Sequence, residues 1–148
     1  MATKLEGEVE TKSSAEKVYE VISAQQYHLP NACSDKIHDV AVHEGAWHTS
    51  GSVKLWKYTV DGTVEEFKEK METDEANKTL TLTALEGHIL DLYKSYKVIF
   101  QLFPRNEGGL VKITLEYEKQ NENVPAPTKY LNFLVHCIND IDAHLLKP

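Results

Sequence analysis

The sequence predicts an α+β fold in which one curved antiparallel sheet of seven strands wraps around a long C-terminal helix. A helical pattern without glycine fills 128–147, and short alternating segments separated by turn signals fill 37–119. One more alternating segment and two short helical patterns precede them, within 4–33. Hairpin-linked strands favour a single antiparallel sheet, and the normal twist of seven strands curves it strongly. The long helix can lie in that curve.

The N-terminal segment is predicted to form a strand followed by two short helices. Small or apolar residues alternate with charged or polar ones in 5–11, which is the period of a strand with one wet face. Ser13 and Glu16 form a capping box for the first helix, with Ser13 as its N-cap. A second short helix, broken at Pro30, is expected within 25–33.

Six further strands are predicted within 37–119, one of them over 92–103. Asp61-Gly62 is a strong signal for a two-residue hairpin. The side chains that share the predicted inward parity and are large or chemically notable are Val40, Lys54, Trp56, Tyr58, Phe67, Leu82, Tyr96, Val98, Phe100, Ile113 and Tyr117. They either fill the space over the helix or line a hollow, and the alternation is compatible with both. Glu65 and Glu69 share the parity of Phe67, and two acids on the inner face count against this assignment of the strand.

The C-terminal helix is predicted to have an unusually broad apolar face. Pro125-Ala126-Pro127 suits a first helical turn, and no glycine or further proline follows before Pro148. Its apolar arc consists of Tyr130, Leu131, Phe133, Leu134, Cys137, Ile138, Ile141 and Leu145. This arc is wider than one flat contact requires. It indicates either an ordinary core helix or one that also faces a binding space.

The composition indicates one domain that spans residues 1–148. Sixteen Lys plus Arg against 23 Asp plus Glu give a net charge of −7, which opposes binding to nucleic acid phosphates and anionic membranes. The sequence has no apolar run of signal-peptide or membrane-spanning type, so we predict a cytoplasmic protein without a membrane span. Cys33 and Cys137 lie far apart in unlike contexts, and both are predicted to be reduced thiols.

Metal, nucleotide and thiol chemistry are all disfavoured by the sequence. The seven histidines lack the i, i+4 pairing of a zinc pair, so no metal site and no cofactor is predicted. Gly45 and Gly51 are too widely spaced for a backbone phosphate cradle, which also needs a Lys-Ser/Thr ending. Cys137 lies on the apolar helix face and is interpreted as a small buried hydrophobe rather than a nucleophile.

Lys54 and Tyr96 are the candidate catalytic residues. The parity of Lys54 places it beside Tyr58 on the inner face, where desolvation lowers the pKa of an amine and allows it to act as a base or to form an imine. The alternative is that Lys54 pairs with an inward acid such as Glu69 or with a backbone carbonyl. Tyr96 either orients a ligand oxygen or simply packs.

Several short segments together carry a resemblance to a known family. They are Lys4-Leu5-Glu6-Gly7, Glu44-Gly45-Ala46-Trp47-His48, Gly51-Ser52-Val53-Lys54-Leu55-Trp56, Tyr93-Lys94-Ser95-Tyr96-Lys97, Glu116-Tyr117-Glu118-Lys119 and Asp140-Ile141-Asp142-Ala143-His144-Leu145-Leu146-Lys147. With these segments the whole chain resembles the plant major latex proteins, a branch of the birch-pollen-allergen and pathogenesis-related class 10 superfamily. The sequence departs from other branches in its loop before the third strand, which lacks their glycine-rich pattern.

The resemblance implies a helix-grip fold with a large internal cavity for hydrophobic ligands. It implies a binding protein or carrier for a plant metabolite, hormone or xenobiotic, connected with defence or specialised metabolism. The alternative is a cavity enzyme, of cyclase, isomerase or lyase type, that acts on a reactive terpenoid or alkaloid intermediate. Ribonuclease activity or RNA binding is a third hypothesis, which the acidic charge and the lack of basic-aromatic patches disfavour. The expected partner is a hydrophobic small molecule and no nucleic acid, and a monomer is expected with a dimer as the alternative.

The predicted ligand-binding residues combine both parts of this fold. They are the inward-facing strand residues named above together with Phe133, Leu134 and Cys137 on the helix. Ile141 and Leu145, further along the same helix, are predicted to pack in solid core.

Overall fold

The computed structural model describes residues 3–147. Within that range the strands are β1 Thr3–Thr11, β2 Ile37–Glu44, β3 Val53–Val60, β4 Thr63–Asp74, β5 Thr79–Gly87, β6 Tyr93–Pro104 and β7 Gly109–Lys119. The helices are α1 Ala15–Ala24, α2 Leu29–Ala32, α3 Ile89–Leu92 and α4 Thr128–Leu145, and a 3₁₀ turn, Gln26–His28, precedes α2.

The seven strands of the described chain form one antiparallel sheet in the order β1-β7-β6-β5-β4-β3-β2. The first and the last strand pair in it, since Val9 of β1 lies opposite Val111 of β7. The α4 helix lies inside the curve, and at Gly7 of β1 an added Cβ would already touch the Leu131 side chain at 3.4 Å. The predicted helix-grip fold is confirmed.

The hairpin between β3 and β4 shows why the sequence signal was reliable. Asp61 and Gly62 have φ angles of 51° and 80°. Two consecutive positive φ values are the requirement of a tight type I′ hairpin, and aspartate followed by glycine tolerates them well. The inward parity of β4 is also as predicted, so Glu65 and Glu69 are buried at 5% and 0% exposure. The strand assignment is correct despite these two acids, which lie in the interior of the fold.

A carboxylate ties the start of α1 to the end of α4. Asp142 accepts hydrogen bonds from the backbone amides of Lys12 at 2.9 Å and Ser13 at 2.8 Å. The predicted cap at Ser13 is therefore wrong by one residue. Because the Ser13 amide is held by α4, the cap passes to Ser14, whose Oγ accepts from the Lys17 amide.

The sheet is split at one end between β5 and β6. These strands pair only over Thr79–Thr83 and Lys97–Gln101, and α3 occupies the connection between them. The prediction that the sixth strand begins at residue 92 missed this one-turn helix, because four residues carry too little periodicity to reveal it. At Gly87 the backbone has φ 132° and a Cβ would collide with the Glu66 carbonyl oxygen, so the turn out of β5 requires glycine.

Candidate functional site

A cavity of about 100 Å³ lies between the inner face of the sheet and α4. Pockets that hold drug-sized molecules usually measure roughly 300–1,000 Å³, so this one is small. Its wall is built almost entirely from aliphatic and aromatic side chains. Such a wall offers burial to apolar molecules and few hydrogen bonds to polar ones.

Many of the predicted ligand-binding residues meet at this cavity. Those contributed by the sheet are Trp56, Tyr58, Phe67, Leu82, Tyr96 and Phe100, and those contributed by α4 are Phe133, Leu134 and Cys137. The predicted residues that lie outside its wall are Val40, Lys54, Val98, Ile113 and Tyr117, all of them buried. The alternation of side chains therefore identifies which strand residues face the interior. The position of each residue along its strand decides whether it reaches the cavity.

Sequence reasoning missed part of the wall. Ile22, Gln26 and Leu29 come from the α1–α2 segment, Ile37, Leu80 and Ile89 from the sheet and α3, and Tyr130 and Ile138 from α4. Ile141 also lines the cavity, so the prediction that it packs in solid core is wrong. The available signal was helical spacing, because Phe133, Cys137 and Ile141 follow each other at intervals of four on one face.

Two phenols and one carboxylate form a closed hydrogen-bonded group beside the cavity. Tyr130 Oη donates to Glu65 at 2.9 Å, and Tyr58 Oη lies 3.4 Å from Glu65 Oε1. Burial raises the pKa of Tyr58 and of Tyr130, and the neighbouring Glu65 raises both further. Both hydroxyls stay protonated and are already paired with Glu65. Tyr58 and Tyr130 therefore contribute the surface of their rings to the cavity and no free polar group.

Tyr96 differs from the other two phenols. Its ring is 5% exposed and meets Phe67 and Tyr130 edge-on, with ring centroids 6.1 and 6.2 Å apart. Burial raises the pKa of its hydroxyl. Its hydroxyl makes no hydrogen bond to any residue in 3–147. It is therefore a free polar group on a residue of the wall.

Lys54 is fully buried, and its ammonium is held by the neighbouring loop. Its Nζ donates to Ser52 Oγ at 2.7 Å and to the Trp47 carbonyl at 3.1 Å. No oxygen of Glu69 comes within 4.0 Å of it in the described chain. Burial lowers the pKa of Lys54, and the charge of Glu69 opposes that change. Of the alternatives raised by the sequence, pairing with a backbone carbonyl describes this lysine.

Glu69, opposite Lys54 on β4, is buried with only one oxygen satisfied. Its Oε1 accepts from Trp56 Nε1 at 2.9 Å, and its Oε2 has no partner in residues 3–147. Burial raises the pKa of Glu69 to about 7, against the opposing influence of the Trp56 hydrogen bond and the Lys54 charge. Glu69 therefore titrates near neutral pH, within reach of Trp56 but outside the cavity wall.

The whole chain, residues 1–148, matches the sequence model of the pathogenesis-related protein Bet v 1 family. The chain belongs to this family. MLP-like protein 328 of Arabidopsis thaliana is 40% identical to it over 95% of this chain and 93% of the relative. The crystal structure of ginseng major latex-like protein 151 from Panax ginseng has a TM-score of 0.94 at 34% identity, covering 99% of both chains. The resemblance to major latex proteins is confirmed.

A more distant structure has the same fold as this Bet v 1 family member. Truncated norcoclaurine synthase from Thalictrum flavum has a TM-score of 0.82 at 19% identity, covering 100% of this chain and 96% of the other. At that level of identity the likeness establishes a shared fold alone.

In this Bet v 1 family protein, two rings separate the cavity from the surface. Trp56 and Phe67 line the cavity and also line an outer groove of about 400 Å³, formed with Leu55, Glu66, Lys68, Glu86, Gly87, His88 and Asp91. Both rings are partly exposed. The wall at this position is one side chain thick.

The two cysteines of the described chain are free thiols. Cys33 and Cys137 are unpaired and buried, as predicted, and Cys33 Sγ donates to the Cys137 carbonyl at 3.7 Å. The Cys33 contact and burial raise the pKa of the Cys137 thiol, which disfavours its thiolate. No group of three His, Cys, Asp or Glu side chains in 3–147 is arranged to hold a metal. No helix in that range is long and apolar enough to cross a membrane.

Proposed function

We propose that this protein binds a hydrophobic small molecule in the cavity between sheet and α4 and carries it in the cytoplasm. The observation that carries the proposal is the composition of the wall. Among the described residues that form it, Gln26 alone is neither aliphatic, aromatic nor a cysteine. Apolar ligands gain free energy roughly in proportion to the surface they bury, at about 25 cal/mol per Å². The ligand we propose is a plant metabolite, hormone or xenobiotic of defence or specialised metabolism.

The direct test of the proposal is native mass spectrometry of the protein purified from its source tissue. A carrier is expected to retain a small molecule of one defined mass. A protein recovered only in its free form, which also fails to bind apolar probes such as 2-methylnaphthalene, would contradict the proposal.

Phe133→Ala is expected to increase the affinity for a two-ring apolar probe. The Phe133 ring packs against Tyr58 in the cavity wall, with ring centroids 5.3 Å apart, so its removal enlarges a cavity that is small for such a probe. Without ligand, the variant should lose about 3 kcal/mol of its free energy of unfolding. A probe that fills the new space should restore part of this loss. The affinity for 2-methylnaphthalene should therefore rise roughly tenfold.

Calorimetric titration measures this change, with Asn132→Ala as the matched control. Asn132 precedes Phe133 on α4 and is exposed, so its removal should leave the affinity unaltered. Equal affinities for Phe133→Ala and the wild type would place the probe elsewhere on the molecule.

The alternative function is a cavity enzyme acting on a reactive terpenoid or alkaloid intermediate. One observation favours it, the hydroxyl of Tyr96 in the cavity wall, which has no hydrogen bond within 3–147. The fold it shares with norcoclaurine synthase is compatible with catalysis but does not assign it. Lys54, the other candidate, has its amine engaged by Ser52 and Trp47, which supports a structural role.

Lys54→Met tests whether Lys54 is structural or catalytic. If Lys54 is structural, stability should fall by about 1–3 kcal/mol, because a buried carbonyl and a hydroxyl lose their donor, while probe affinity stays within about threefold. An enzyme that used Lys54 as base or amine would instead lose a factor on the order of 10²–10⁴ in turnover. Lys57→Met, on the exposed face of β3, is the control and should alter neither quantity.

A further inference from the structure

The amide of Gln26 is fixed in one orientation at the cavity wall. Gln26 opens the 3₁₀ turn after α1 and is 1% exposed. Its Nε2 donates to the Ile22 carbonyl at 2.7 Å and contacts Met71 Sδ at 3.0 Å. A carbonyl oxygen accepts only from a donor, so the contact with Ile22 identifies the nitrogen and leaves Oε1 as the other atom.

The Oε1 atom of Gln26 is a buried acceptor without a donor. It has no hydrogen-bond partner among residues 3–147, although the side chain belongs to the cavity wall. Leaving a buried acceptor unpaired costs about 1–3 kcal/mol, and most buried polar atoms in proteins avoid that cost. Glutamine could be replaced by an apolar residue of similar shape without this cost, so the exception requires a reason.

We propose that Gln26 Oε1 accepts a hydrogen bond from the ligand, and that the ligand is a neutral apolar molecule carrying one hydroxyl or N–H group. The inference rests on the proposed carrier function and specifies its ligand class. A neutral donor fits better than an ammonium group, because an ion transferred into this apolar wall would lose far more hydration than a hydroxyl does. Lys54 Nζ, 3.6 Å from the same Met71 sulfur, makes a second cation still less favourable.

The geometry also assigns a direction to the bound molecule. Gln26 belongs to the segment between α1 and α2, and the wall residues Ile22 and Leu29 lie before and after it in sequence. The donor end of the ligand therefore lies against the α1–α2 segment. Its apolar body then lies against the remaining wall, which is aliphatic and aromatic apart from Cys137.

Two probes of nearly equal shape test this proposal. 2-Naphthol carries a hydroxyl where 2-methylnaphthalene carries a methyl group, and both are titrated calorimetrically into wild type, Gln26→Met and Gln25→Met near neutral pH. Gln25 is the matched control, since it is the same residue type one position earlier and its Nε2 bonds to Glu20 at the surface. Methionine preserves the approximate volume of glutamine and removes the acceptor.

In the wild type, 2-naphthol is expected to bind at least as tightly as 2-methylnaphthalene. In Gln26→Met its affinity relative to 2-methylnaphthalene should fall by about fivefold or more, because the hydroxyl then enters an apolar wall unpaired. Gln25→Met should keep the wild-type ratio. A ratio that is the same in wild type and Gln26→Met would overturn the inference while leaving the carrier function intact.

Other outcomes are equally decisive. If neither probe binds to the wild type, the carrier function fails and this inference fails with it. If Gln26→Met does not fold, the wild type decides alone, since a hydroxyl without an acceptor should bind about five- to a hundredfold more weakly than the methyl analogue. That weaker binding in the wild type would overturn the inference.

Discussion

Glu69→Gln is expected to become more stable relative to the wild type as the pH rises from about 4.5 to about 7. Burial raises the pKa of the Glu69 carboxyl from 4.5 to about 7 in the folded protein. Below pH 4.5 both states hold the proton. Between the two values the unfolded chain releases it and the folded protein keeps it, so wild-type stability falls with rising pH and levels off above about 7. The total loss is about 3 kcal/mol, and glutamine, which does not titrate, avoids it.

Urea unfolding of both proteins at a series of pH values measures this difference. Histidines and the other carboxyls are common to both chains, so their contributions cancel in the comparison. Glu72→Gln, on the exposed face of the same strand, is the matched control and should show a far smaller change. If the free energies of unfolding of wild type and Glu69→Gln differed by the same amount across this pH range, Glu69 would ionise as readily in the folded protein as in the unfolded chain.

Asp142→Ala is expected to lower the free energy of unfolding by about 3 kcal/mol. The Asp142 carboxylate accepts from two backbone amides, those of Lys12 and Ser13, and hydrogen bonds to a charged group contribute about 1.5–3 kcal/mol each. Ser13 is buried, so its amide would be left without a partner. The variant also removes the hydrogen bonds that connect the β1–α1 junction to α4.

Two further variants delimit this effect. Asp142→Asn keeps one acceptor oxygen and should lose about half as much, whereas Asp140→Ala removes a partly exposed ion pair with Lys36 and should cost less than about 1 kcal/mol. Thermal and urea unfolding measure all three. An Asp142→Ala variant as stable as Asp140→Ala would show that water replaces the carboxylate at both amides.

The fold could be predicted from the sequence because its signals are local and repeated. The alternation in each strand and the Asp61-Gly62 turn are signals that depend on only a few neighbouring residues. The elements that these signals predict are consistent with one fold. The cap of α1 could not be placed correctly, because Asp142, far away in sequence, holds the Ser13 amide. The helix α3 was missed for the opposite reason, since a single turn has no periodicity of its own.

The candidate site was predictable in part. Parity placed Trp56, Tyr58 and Tyr96 on the inner face, and the structure brings all three to the cavity. Lys54 has the same parity, yet it lies outside the wall, because a loop carbonyl and a serine hold its amine. Gln26 gave no signal at all, since a polar residue next to a helix end is usually exposed, and only the packing of the 3₁₀ turn buries it.

The thin wall at Trp56 and Phe67 has a kinetic and energetic consequence. A cavity of about 100 Å³ cannot accept a large ligand without expanding, so such a ligand binds a rarer conformation of the chain. The measured dissociation constant is then the intrinsic one divided by the fraction of molecules in that conformation, and a fraction of about 1% weakens apparent binding about a hundredfold. Since Trp56 and Phe67 line both the cavity and the outer groove, substitutions at these two rings are the ones expected to change that fraction.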